Sequence, residues 1–217
     1  MMVVDGVPVI LLLYVDKMFL TGDEKLIVEC KRDLVAKFKM KYLGMMHYFL
    51  GLEVWYKPNE ILFNQEKYVV EILERYRMMD CKPMAATMVM NLKLLSDTSS
   101  ETVDSTMYKQ IIGSLTYLMN ARPDICFATN TPSQYMVEPI LVHLIAVKHV
   151  LRYLKGTVNY GLIYVSDREI ILQGYVDSDW VGSVPYREST SKCCFSLGSV
   201  MILWFNIKQT SVALNTV

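Results

Sequence analysis

Surplus positive charge is the first thing missing. Lys and Arg number 22, Asp and Glu number 22, and the formal net charge is zero. A chain that grips nucleic acid unaided usually carries a basic excess, because phosphate neutralisation supplies most of the affinity. The balance argues against strong autonomous binding and leaves only local basic faces. Histidine is scarce: His47, His143 and His149 lie apart, and none stands at zinc spacing to a cysteine. Cys30, Cys81, Cys126, Cys193 and Cys194 make no metal-spaced pair, and five is an odd number. They read as reduced thiols of an intracellular chain, cytoplasmic or nuclear rather than secreted. Long hydrophobic runs are missing too. VPVILLLYV is nine residues long, too short to span a bilayer, and is followed by charge; it reads as a buried strand, with no membrane partner. MMVVDGVPV has no positive segment and no small-residue cleavage site.

What is present suits a folded chain of mixed class. Of 217 residues, 53% are hydrophobic, enough for a sizeable core in one large domain or two small ones. Residues 2 to 20 read as strand, Asp5-Gly6 turn, strand to Tyr14, tight turn at Asp16 and Lys17, then strand. Asp23 caps a helix whose apolar positions Leu26, Ile27, Cys30, Leu34 and Phe38 share one face. HYFLGLEVWY reads as a strand, KPNE as a turn, ILFN as a strand and EKYVVEILERYRMM as an amphipathic helix. Residues 80 to 106 are rich in Pro, Ser, Thr and Asp without a sustained period, and read as a linker.

Three helical stretches follow. The first is YKQIIGSLTYLMNA. The second, PDICFATNTPSQYM, has Pro123 at its start, and Pro132 should kink or end it. The third, PILVHLIAVKHVLRYLKG, opens at Pro139, with Gly156 as a left-handed cap. From Tyr160 the period turns to two, giving strands GLIYV, ILQGYVDSDWVG, KCCFSLGS, VMILWFNI and SVAL. The apolar, uncharged VMILWFNI is an aggregation hazard if left at a sheet edge.

Two acidic positions bear on chemistry. Asp16 ends an apolar strand at a hairpin tip, the kind of place from which a carboxylate reaches a divalent metal; the same residue type also serves simply as a turn former. Asp177 and Asp179 alternate on a strand and share a face, which suits a metal or a solvated surface. Lys148, Arg152 and Lys155, at i, i+4 and i+7 of one helix, can meet phosphates or form a solvated face. Cys193 and Cys194 point to opposite faces of their strand, a structural arrangement. The histidines read as packed or surface groups.

The order of these segments resembles the C-terminal part of the Pol polyprotein of Copia-type LTR retrotransposons, over nearly the whole chain. ILLLYVDKMFLTGDE is similar to the reverse-transcriptase segment that carries Tyr-Val-Asp-Asp. YLGMMHYFLGLEV is similar to the primer-grip region, with Leu50 and Gly51 at its centre, and ILFNQEKYVVEILERYRMMDCKP to the thumb entry. YKQIIGSLTYLMNARPDI and VKHVLRYLKGT are similar to the connecting helices. GYVDSDWVGSVPYRESTSKCCFSLGSVMILWFNIKQTSVAL is similar to the opening of a ribonuclease H domain.

The resemblance implies an α+β fold. Its parts are a palm remnant over residues 1–57, a thumb-like segment over 58–90, a linker over 91–106, a helical connection over 107–159 and an incomplete ribonuclease H-like sheet over 160–217. It implies RNA-directed DNA polymerase chemistry with Mg2+, an RNA/DNA template–primer as partner, and association with other Pol segments. Asp16 and Asp177 then match metal-binding catalytic acids.

Departures from the family weaken that implication. Where the family has a second aspartate after Asp16, this sequence has Lys17. At ~4 Å and an effective dielectric near 20, one unit pair repels by about 4 kcal/mol, doubled for a divalent ion. A further palm acid lies upstream of the matching region in the family, and the ribonuclease H glutamate follows the position where VALNTV stands. The expectation is a pseudoenzyme: a degenerate Pol fragment that binds no metal tightly and is inactive alone. The alternatives are a module that binds RNA–DNA hybrid without catalysis, and an enzyme completed in trans by a partner.

Overall fold

The computed structural model of the chain describes residues 2–4, 7–88, 101–166, 169–183 and 188–208, with side chains described over 9–88, 101–166, 169–177 and 191–205. It is α+β and divides into two compact units, residues 1–46 and 47–217.

The first unit is an antiparallel sheet, β1 (Met2–Val4), β2 (Val7–Tyr14) and β3 (Lys17–Gly22), in that spatial order. Helix α1 (Glu24–Lys37) follows, and the Asp23 carboxylate caps it by accepting from the Lys25 and Leu26 amides at 2.9 and 3.1 Å. The cap and both hairpin strands stand where the sequence places them; the Asp5-Gly6 turn lies outside the described residues. One expectation fails. The run VPVILLLYV is not a buried strand: Ile10 to Tyr14 are all exposed, and Val9 is the one buried side chain described in this unit. A three-stranded sheet with one helix has too few layers to cover both faces of its central strand, however apolar that strand is.

The second unit has a helical core flanked by two sheets. HYFLGLEVWY does not form one strand. It breaks at Leu50 and Gly51 into β4 (Tyr48–Phe49) and β5 (Leu52–Lys57), which pair antiparallel with Phe49 opposite Leu52. Both turn residues have positive φ, 48° and 74°, the sign pattern of a I′ hairpin turn. Alternating hydrophobicity alone does not mark a strand that reverses mid-way. β6 (Glu60–Asn64) pairs with β5, and β7 (Gly161–Val165) pairs with β6, giving the order β4-β5-β6-β7. This sheet draws strands from segments about a hundred residues apart in sequence.

Helix α2 (Glu66–Arg75) follows β6. Its Val69, Ile72 and Leu73 pack with Tyr108, Ile111, Ile112, Leu115 and Leu118 of α3 (Ser105–Leu118). A short 3-10 turn (Pro123–Ile125) leads into α4 (Cys126–Ser133), which ends one residue after Pro132, as a proline inside a helix requires. The Tyr108 hydroxyl donates to the Pro132 carbonyl at 2.8 Å. Helix α5 (Leu141–Gly156) crosses the core with Leu144, Val147, Val150, Leu151 and Leu154 buried.

Two end signals of α5 are displaced. Its first residue is Leu141, two past Pro139. Gly156 is the last helical residue, and the cap is Thr157 at φ −133°, so no left-handed glycine closes the helix. The Thr157 side chain and carbonyl are held by a buried arginine instead, which makes a glycine cap unnecessary.

Both described ends of the expected linker are pinned. The Met84 amide donates to the Arg152 carbonyl, and Thr102 bridges Ile140; the rest, residues 89–100, lies outside the described residues. The second sheet contains β8 (Leu172–Ser183), β9 (Glu188–Leu197) and β10 (Val200–Lys208) in the order β10-β9-β8. The expected SVAL strand also lies outside the described residues. No helix among the described residues is long and apolar enough to cross a membrane.

Candidate functional site

Asp16 sits in the two-residue loop joining β2 to β3, between the paired residues Tyr14 and Lys17. Val15, the first loop residue, has φ 52°, and Asp16 does not share that sign, the pattern of a II′ turn that normally takes glycine first. A β-branched residue there is strained. Val15 is 83% exposed, so no packing contact compensates. Asp16 and Lys17 are both exposed, and neither has a side-chain hydrogen bond or ion pair among the described residues.

Asp177 stands on β8 directly opposite Lys192 of β9, and their side chains form an ion pair at 3.6 Å. The Asp177 side chain is 70% exposed, the Lys192 ammonium also lies over the Phe127 ring at 5.2 Å, and Asp179 follows in register opposite Thr190. Asp16 thus has a lysine next to it in sequence, and Asp177 has one opposite it across the strands. Among the described residues no three His, Cys, Asp or Glu side chains cluster as metal ligands would. The described groups therefore do not fit a two-cation centre, which needs several hard oxygen donors converging.

Leu50 and Gly51 are brought to α3. The Tyr117 hydroxyl donates to the Leu50 carbonyl, and a Cβ on Gly51 would meet that hydroxyl oxygen at 2.7 Å. Tyr68 packs edge-on against Tyr117 with ring centres 4.9 Å apart. The turn is thus latched by a residue 67 positions later, which no local signal in the sequence announces.

The basic face of α5 separates into different roles. Lys148 is exposed, and Lys155 is half-buried. Arg152 donates from Nε to the Lys82 carbonyl at 2.8 Å, fastening the chain after α2. His143 is buried, stacked on Tyr135 at 3.9 Å and accepting from the Ile140 amide through Nδ1. His149 is bonded to the Ala86 carbonyl at 3.0 Å. Cys193 and Cys194 are free and half-buried.

The most elaborate polar cluster went unnoticed in the sequence. Arg122, 1% exposed, donates to both carboxylate oxygens of Asp124 at 2.9 and 2.7 Å and to the Thr157 carbonyl and hydroxyl at 2.9 and 2.7 Å. Tyr153 donates to Asp124 at 2.8 Å. Burial pushes the Asp124 carboxyl up, but the bonds and charge of Arg122, with the Tyr153 hydroxyl, outweigh this and hold it below the ordinary carboxylate range. The Tyr153 phenol is raised by burial and by its bond to Asp124. The tetrapeptide Arg-Pro-Asp-Ile was the available signal, because an arginine two residues from an aspartate across a proline can close a local fork.

Comparison with known proteins gives a consistent family. The reverse transcriptase (RNA-dependent DNA polymerase) family model matches residues 3–90. An uncharacterized mitochondrial protein of Arabidopsis thaliana is 38% identical over 204 residues, covering 94% of this chain and 85% of that one. The retrovirus-related Pol polyprotein from transposon RE1 of Arabidopsis thaliana is 36% identical over 205 residues, 94% of this chain. The corresponding polyprotein from transposon TNT 1-94 of Nicotiana tabacum is 36% identical over 218 residues, 96% of this chain. The chain spans only 14% and 16% of those two polyproteins. No solved structure matches.

Proposed function

We propose, from the premise that this chain belongs to the reverse transcriptase family of Copia-type Pol polyproteins, that it is a Pol segment that does not polymerise DNA by itself. The observation that carries this reading is the exposed hairpin tip where Asp16 is followed by Lys17. Nucleotidyl transfer from a triphosphate needs divalent cations shared between acids and phosphates. A cation fixed in the chain beside the one acid opposes that arrangement. The exposure of Lys17 moderates the repulsion, since the effective dielectric approaches that of water and ~4 Å then corresponds to about 2 kcal/mol against a divalent ion. What Lys17 removes is the second carboxylate, and a cation cannot stand in for an oxygen donor.

The same reasoning extends to residues 160–217 as a ribonuclease H-like part. There Asp177 is engaged by Lys192 rather than left to a metal. On this reading residues 1–57 are a palm remnant and 58–90 a thumb-like segment, 91–106 link these to the connecting helices of 107–159, and template–primer and other Pol segments are partners inherited from the family. Mg2+ is the family's cofactor, and among the described residues no cluster of acids stands with Asp16 or Asp177 to hold it.

The test is primer extension on a poly(rA) template with an oligo(dT) primer, in Mg2+ and separately in Mn2+. It is run with the chain alone and with the chain mixed with a palm segment from the RE1 polyprotein. The expected result is no extension above background in any arm. Extension that disappears in Asp16→Ala overturns the proposal. Extension only in the mixture establishes completion in trans.

A further inference from the structure

We propose that the Leu50–Gly51 turn is a strained strap held shut by the Tyr117 hydroxyl. Breaking that one bond lets β4 lift off β5 and opens the β5 edge while the helical core stays folded. The device uses neither Asp16 nor Asp177, so its test is independent of the catalytic silence proposed above.

The strap carries its own opening force. A I′ turn normally takes asparagine, aspartate or glycine at its first loop position. Here that position is Leu50, at φ 48°. A leucine Cβ in the left-handed region crowds the following carbonyl. Leu50 is 49% exposed, so packing recovers little of the cost. Strain of this kind persists only where the surroundings over-determine it, and the local surroundings are thin. β4 has two residues, and past it the Val54 amide donates to the His47 carbonyl at 2.9 Å. Tyr48 also lies under the Lys67 ammonium at 5.6 Å, and His47 stands edge-on to Tyr56 at 5.7 Å. Lys67 and Tyr48 are both exposed, where a cation over a ring is worth least.

The restraint comes from the helical core. Tyr117, in the last turn of α3, donates its hydroxyl to the Leu50 carbonyl, and its ring packs on Tyr68 of α2. Its helix neighbours Leu115 and Leu118 are fully buried, so the latch is mounted on the core and not on the hairpin. The same contact demands glycine next in the turn: a Cβ on Gly51 would stand 2.7 Å from the hydroxyl oxygen. What the strap covers is a sheet edge. Leu52 is paired with Phe49, and the Val54 amide points to the same side. With β4 lifted, the Leu52 and Val54 amides lose their partners, and β5 becomes an outer strand that can take another in place of β4.

The test is amide hydrogen exchange of the whole chain at neutral pH, with and without about 1 M urea. In the wild type, Leu52 and Val54 should exchange through a local opening that urea leaves nearly unchanged. Ile72 and Val150 of the core should exchange through unfolding that urea speeds steeply. Tyr117→Phe keeps the ring, deletes the hydroxyl, and should speed exchange at Leu52 and Val54 about tenfold. Leu50→Gly removes the left-handed strain and should slow it about fivefold or more. The double variant should return to within about threefold of wild type. Relief of strain in a turn would not rescue the loss of a tyrosine that only packs its own helix. The proposal is overturned if Leu52 and Val54 share the urea dependence of Ile72 and Val150. It is also overturned if Tyr117→Phe leaves their exchange within about twofold of wild type, or if Leu50→Gly speeds it. A double variant as fast as Tyr117→Phe alone overturns the link between strain and latch.

Discussion

Asp124→Asn replaces one oxygen of a carboxylate that faces a buried guanidinium. The Arg122 side chain is 2% exposed, and its Nε and Nη2 bonds to Asp124, at 2.9 and 2.7 Å, are its only charge-neutralising contacts among the described residues. Asparagine keeps the size and one acceptor but sets an amide NH2 against the arginine fork. The remaining bonds to Thr157 satisfy donors without neutralising the charge. An uncompensated buried cation costs about 3–5 kcal/mol, a large share of the ~5–15 kcal/mol that holds an ordinary fold. At this chain length the melting temperature should fall by about 10 °C, read by circular dichroism at neutral pH. The double variant Arg122→Met with Asp124→Leu should lose less than the single, since it removes both charges together. A melting temperature of Asp124→Asn within about 2 °C of wild type refutes the reasoning, as does a double variant worse than the single.

Acid supplies an independent reading of the same pair. The Asp124 carboxyl is depressed in the fold, so its stabilisation is complete above the unfolded value near pH ~4 and is lost as pH falls through the lower folded value. Wild-type melting temperature should drop below about pH 4, with a flatter profile in that window for Asp124→Asn. Gly161→Ala should disrupt the β6–β7 pair, because its Cβ would meet the Phe63 carbonyl at 2.2 Å; a loss of about 3 kcal/mol or more in denaturant titration is expected, and a neutral result would refute the register. Val15→Gly should stabilise the β2–β3 hairpin by about 1 kcal/mol, seen as slower amide exchange at Leu12 and Phe19, which form a hydrogen-bonded pair two positions beyond the flanking pair Tyr14 and Lys17, and faster exchange would contradict the strained turn.

Legibility in the sequence followed the range of the interaction. Asp23 announces its helix because the bonds it accepts lie two and three residues away, and Pro132 ends α4 through an effect on its own turn. The β2–β3 hairpin was equally plain, since the apolar run and the turn that ends it lie within one window. The Leu50–Gly51 reversal was not legible, because a tyrosine on another helix holds it. Gly156 misled because Arg122, 35 residues from Thr157, takes over the helix end. Burial of β2 misled because hydrophobicity states a demand for cover and not its supply. Of the candidate site, Asp16 fell at the tip its sequence foretold, whereas the pairing of Asp177 with Lys192 depended on strand register.

The buried Arg122 cluster and the candidate acid Asp16 belong to different units of this chain, and that separation bears on what restoring an acid could achieve. A metal centre needs its ligands held within a fraction of an ångström by a packed supporting shell. Arg122 has such a shell, with its fork filled and Tyr153 bonded to its partner. Asp16 has none of that within residues 1–46. Its turn is strained at Val15, its strand is exposed from Ile10 onward, and its side chain bonds to nothing among the described residues. Lys17→Asp would therefore return a second carboxylate without returning the order that makes two carboxylates a site. Mn2+ titration of Lys17→Asp should give at most the millimolar affinity of an exposed acidic pair, worth about 4 kcal/mol. Micromolar binding would show that the hairpin is preorganised after all, and that the lysine alone separates this segment from a metal-binding palm.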